Sequence, residues 1–159
     1  LLPNRVGGAA LQKNLETLGD IQYTQEEIDF ALELQRNNGK PEIGIDGKIR
    51  PLRETLNSPG GGSTDSGDVS YNVPVVSLAA TTAPKGVPWH SWSVVASSGM
   101  SIGHKGMLHA AKALGMTMVD IFKDSKLREN IKKEFDEKIG EYEYDPYLDP
   151  GPPPIDYVD

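Results

Sequence analysis

The chain has 159 residues, enough for one ordinary domain with a real core, and no cysteine, which excludes disulfides, thiolate nucleophiles and sulfur-ligated zinc. Sixteen Lys and Arg against 23 Asp and Glu give a net charge of −7, and six of the acidic residues fall in 141–159, where no basic residue occurs. The nearly neutral body has no basic stripe to neutralise phosphates, which excludes a nucleic-acid binder, and no apolar run approaches the roughly 20 residues of a membrane span.

In chain order, Ala10, Leu11, Leu15 and Leu18 recur at helical spacing, and Gly19 is placed to end a helix over 6–18. Thr24 with Glu27 three residues on forms a capping-box signature, and Ile28, Ala31, Leu32 and Leu34 carry a second helix towards "NNGKP". Residues 39–60 are rich in turn formers, and "IGIDGKIR" predicts a short hairpin around Asp46-Gly47. "VPVVSLAA" and "WSVVAS" predict inner strands of a covered sheet, with "TTAPKGVPWH" as the loop between them. A long, mostly buried helix is predicted from Ser101 to Phe122, and a charged helix with the stripe Leu127, Ile131, Phe135 and Ile139 follows, ended by Gly140. The domain division is therefore 1–140 as a folded unit and 141–159 as an acidic Pro/Tyr-rich tail. Strands, loops and apolar helices in this order predict an α/β layer arrangement, with a sheet that is short of strands.

The glycine loop "GGGSTDSGD" lacks the Lys of a nucleotide phosphate loop, the glycine spacing of a dinucleotide fingerprint, and the alternating carboxylates of a calcium loop. Two readings stay open: a loop whose bare N–H groups approach an anion, with Asp65 as an acceptor at its end, or an ordinary Gly/Ser/Asp turn. His104 and His109 are five apart, roughly 140° around a helix, and so do not form the four-residue metal pair of a zincin. His104 stands at a helix start, where its imidazole can donate or accept a hydrogen bond or be a solvated cap; His109 is read as packing. His90, in "PWHSW", is placed either to present a ligand or to pack between Trp89 and Trp92. No G-x-S-x-G elbow marks a serine nucleophile, and the four methionines are read as core filler.

Taken together, "GGGSTDSGDVSYNVP", "GVPWHSWSVV" and "SIGHKGMLHAAKALGMTMVDIF" resemble the C-terminal part of the B-type aminobenzoyl-glutamate utilisation hydrolases. These belong with the aminoacylases, hippurate hydrolases and glutamate carboxypeptidases in a co-catalytic metallopeptidase family. The likeness covers residues 1 to 140 and is most specific from Gly61 to Met107. It implies a zinc-exopeptidase-like α/β sandwich catalytic domain, here its C-terminal portion with the lid domain absent. It implies His90 as a metal ligand in a site of two divalent ions, zinc or manganese. It places Gly61, Gly62, Ser63 and Thr64 against the substrate carboxylate, Asp65 as a support of the site, and His104 in the pocket lining.

The implied reaction is hydrolysis of the amide bond of an N-acyl amino acid such as aminobenzoyl-glutamate. The implied partners are the N-terminal part of the same catalytic domain and a second copy held through the lid, and the implied compartment is the cytoplasm. One histidine is one ligand where zinc sites use three or four, so the 159 residues are expected to be an incomplete hydrolase. The alternatives are a non-catalytic module that binds acyl-amino acids, and a docking role for the acidic tail.

Overall fold

The computed structural model describes residues 1–52, 64–146 and 151–152. Among them are six helices: α1 (Arg5–Leu18), α2 (Gln25–Asn37), α3 (Ser66–Ser70), α4 (Trp92–Ser98), α5 (Ser101–Lys123) and α6 (Ser125–Ile139). The 23-residue α5 is the axis of the arrangement, packed by α1, α4 and α6, while α1 also packs on α6.

Local chemistry sets the helix boundaries. The Asn4 side chain accepts from the Gly7 N–H to start α1, and its own amide donates to Ile131 O of α6, both at 2.8 Å. Glu134 of α6 reaches the same end, accepting from the Arg5 and Val6 N–H groups at 2.7 Å each. It thereby satisfies two donors that the first turn of α1 leaves without helical partners. Lys138 holds that carboxylate and donates to Pro3 O, both at 2.6 Å. The capping box of α2 forms as the sequence predicts, with the Thr24 hydroxyl accepting from Glu27 N and the Glu27 carboxylate accepting from Thr24 N. Asp124 caps α6 by accepting from the Leu127 N–H, and Gly19 and Gly140, both at positive φ, end α1 and α6.

The buried apolar residues are few: Leu11, Ala31, Leu34, Val87, Ile102, Ala113 and Ile131. Buried polar side chains share the interior with them and are paired. Asn14 of α1 donates to Thr117 Oγ1 and Asp120 Oδ2 of α5, and Gln35, fully buried on α2, clips two loops to the helix. Its amide donates to Gly44 O and Lys85 O, and its carbonyl accepts from Gly44 N, each at 2.8 Å.

The α/β sandwich expected from the sequence and the resemblance is overturned: the described residues form helices and loops, with no strand among them. "WSVVAS" forms α4, with Ser91 at its N-cap position, and Val95 is 74% exposed where an inner strand would bury it. "VPVVSLAA" runs without regular structure between α3 and α4, joined to no neighbouring ladder. The hairpin predicted at Asp46-Gly47 is instead an Asx turn, Asp46 Oδ1 accepting from Lys48 N at 3.0 Å, and Gly47 O accepts from Ile21 N across the chain. The buried face predicted for the long helix is also narrower than expected. Ile102, Gly103, Gly106, Ala113 and Thr117 are buried, but Met107, Leu114, Met118 and Phe122 are exposed, Phe122 at 77%.

Candidate functional site

The residues that the sequence singles out stand on different elements of the chain. Thr64 and Asp65 lead into α3, whose Ser70 accepts from Leu2 N at 2.7 Å and so ties the short helix to the start of α1. The Thr64 hydroxyl is occupied locally, accepting from Ser66 N, and Asp65 is exposed with its backbone carbonyl accepting from Asp68 N. Gly61, Gly62 and Ser63 lie outside the described residues.

The start of α1 lines a groove with the far end of α5 and the beginning of α6, through Val6, Asp120, Lys123 and Leu127. His104 is in the first turn of α5, roughly 28 Å along the axis from Lys123 at 1.5 Å per residue. Asp65 stands just before α3, and His104, in the first turn of α5, is exposed.

His90 stands in the loop that enters α4. It is exposed, and with φ of 60° it is the one non-glycine residue in the left-handed region among those described. Trp89 and Trp92 on either side are 71% and 56% exposed, so the imidazole is not packed between buried indoles. The loop itself is well held. Pro84 and Val87 are buried, Gln35 binds Lys85 O, the Ser91 hydroxyl donates to Pro88 O, and Asn38 donates to Ser93 Oγ at 2.6 Å just past the turn. Among the described residues no three His, Asp or Glu side chains converge where a metal ion could be held. His90 is thus a single available donor.

A different cluster is the most strongly built group of ionisable residues. Lys105, directly after His104, reaches across to α2 and places Nζ 2.6 Å from Glu27 Oε2 and 2.9 Å from Gln22 O. It also lies over the Tyr23 ring, 5.6 Å from its centroid. Glu27 is 4% exposed. Burial by itself would raise its carboxyl, but hydrogen bonds from Lys105, Ser101 and the Thr24 N–H, with the ammonium charge, outweigh it and bring it from 4.5 down to about 2. The Tyr23 hydroxyl is buried with no hydrogen-bond partner among the described residues; burial, then the Glu27 and Asp46 charges, push it up to about 12. With Lys105 engaged by Glu27 and Gln22, this cluster joins α2 to α5. It is a clamp.

Among curated proteins, the chain matches the B-type subunit of p-aminobenzoyl-glutamate hydrolase from Escherichia coli (strain K12), 34% identical over 157 residues. The match covers 84% of this chain and 33% of that protein. This chain is a relative of aminobenzoyl-glutamate hydrolase, B type. It spans about a third of the length of the relative it matches. No family model matches the chain, and no solved structure matches it.

In this relative of the B-type hydrolase, Lys105 is the residue that sequence reasoning misses, although it stands in "HKG" beside His104. The available signal was the one Lys or Arg among residues 101–111 of the long helix, with the N3 glutamate of a capping box elsewhere as its counter-charge. Distance along the sequence, 78 residues, hides such a pair.

Proposed function

We propose that this chain serves in the hydrolysis of the amide bond of an N-acyl amino acid of the aminobenzoyl-glutamate class. The observation that carries the reading is the 34% identity to the B-type subunit of p-aminobenzoyl-glutamate hydrolase across 84% of the chain. In this reading His90 is the residue of the chain that stands at the reacting group. Its exposed ring sits on a loop anchored from both sides, so the imidazole is presented in a set place at little further ordering cost. Its φ of 60° agrees with that role, since left-handed backbone at a non-glycine residue is retained where surrounding structure holds it, often at functional sites.

The expected zinc or manganese ions do not fit the described residues alone, because His90 is one donor and zinc sites use three or four. The chain's own contribution is the positioned imidazole and the helical framework behind it. Further polypeptide of the hydrolase is the proposed partner, and the apolar side chains that α5 leaves exposed, Met107, Leu114, Met118 and Phe122, support it.

The test is hydrolysis of p-aminobenzoyl-glutamate by the intact polypeptide that its gene encodes, with His90→Ala beside it. A loss of at least a hundredfold in kcat, accompanied by a fall in bound divalent metal, is expected. Unchanged activity and metal content in the variant would remove His90 from the site.

A further inference from the structure

We propose that Trp89 and Trp92 form an aryl-binding surface beside His90 that receives the planar aromatic acyl group of the amide substrate; this rests on the hydrolase reading above. The two are the only tryptophans of the 159 residues, and they stand three positions apart around that histidine. Tryptophan is highly buried on average in folded proteins, yet these are 71% and 56% exposed.

The exposure is not that of a loose loop. Buried Val87 precedes the pair, the Gln35 amide holds Lys85 O at 2.8 Å, and Asn38 holds Ser93 Oγ at 2.6 Å immediately after Trp92. Two large rings are therefore displayed on a fixed support. Such rings offer much contact area for the ordering of only two side-chain torsions each. Trp92 is further set by its place in the first turn of α4, and His90 by its left-handed backbone.

The chemistry of an aroyl amide matches this arrangement. The carbonyl carbon to be attacked is bonded directly to the aromatic ring, so a ring resting on either indole keeps the amide close to the stretch of chain that carries His90 between the two tryptophans. Offset or edge-on contact with an indole is available to an aryl group and unavailable to an alkyl one. The surface therefore selects aroyl over aliphatic acyl amino acids.

The experiment uses the intact protein labelled with nitrogen-15, the two indole N–H signals being assigned with W89F and W92F. Titration with p-aminobenzoate should move both signals along one saturation curve, while cyclohexanecarboxylate at the same concentrations leaves them in place. In kinetics, W89A and W92A should each lower kcat/KM for p-aminobenzoyl-glutamate at least tenfold and leave that for N-acetylglutamate within twofold. Indole signals that stay fixed with p-aminobenzoate, or move equally with both acids, overturn the aryl surface. So does an equal slowing of both substrates by the Trp variants. Failure of the wild-type protein to cleave either amide overturns the hydrolase reading instead, and the indole titration then still decides the surface.

Discussion

Replacing Lys105 by Met keeps the length of the stem and removes the cation that lies 2.6 Å from the Glu27 carboxylate. Glu27 would then remain buried and charged at pH 7 with only the Thr24 N–H and Ser101 as donors. Breaking a fully buried pair costs about 3–5 kcal/mol. The Lys105 side chain is 34% exposed and two other donors remain, so the expected loss is nearer the value of one charged hydrogen bond, about 2 kcal/mol. The pH dependence gives a second reading of the same contact. The Glu27 carboxyl is held near 2 in the folded chain against 4.5 ordinarily, so its stabilisation is complete above about pH 4.5 and is lost as the pH falls towards 2. At about 1.36 kcal/mol per unit the whole effect is on the order of 3 kcal/mol, and K105M should remove most of it. Urea unfolding of wild type, K105M, E27Q and the double variant at pH 7 and pH 3 checks both. A coupling energy below about 0.5 kcal/mol, with unchanged acid sensitivity in K105M, would refute the clamp.

Gln35→Leu should destabilise by about 2–4 kcal/mol, because the Gly44 N–H and the Gly44 and Lys85 carbonyls lose their buried partner together, and thermal unfolding would show it. Gly106→Ala should cost about 1–3 kcal/mol by the same measurement, since a Cβ there runs into Thr81 O and comes within 2.9 Å of Thr82 Cγ2. Phe122→Ser should change the stability of these 159 residues by no more than about 0.5 kcal/mol, because the ring is 77% exposed; a larger loss would mean that it is packed. Glu134→Gln should destabilise at pH 7 and lose its effect in acid. Burial raises that carboxyl, but the Lys138 hydrogen bond and the Val6 and Arg5 N–H groups hold it below its ordinary value, and it is the protonated form that acid produces.

The helices that carry their own punctuation were readable. Thr24 and Glu27 announce the start of α2, and Gly19 and Gly140 close α1 and α6. Short apolar runs were not readable, because four to eight residues such as "WSVVAS" carry no period that separates strand from helix. Val94 and Val95 favour a strand by propensity, and the helix forms with Ser93 and Ser97 turned inward and Val95 out. The apolar composition of α5 suggested burial, but composition does not name a neighbour, and the described residues supply neighbours only along the line of Ile102, Gly106, Ala113 and Thr117. The inner strand expected after His90 is α4, while the place of His90 in the loop "TTAPKGVPWH" was legible. Its left-handed backbone was not, since it depends on how Gln35 and Asn38 hold the two ends of the loop.

The central claim is the reaction. The most direct measurement is to incubate the intact polypeptide with p-aminobenzoyl-glutamate and quantify p-aminobenzoate and glutamate by mass spectrometry. Equal amounts of the two products, formed catalytically and abolished with His90→Ala, are the predicted result. Substrate recovered unchanged, under conditions in which the protein is folded and supplied with zinc or manganese, would contradict it.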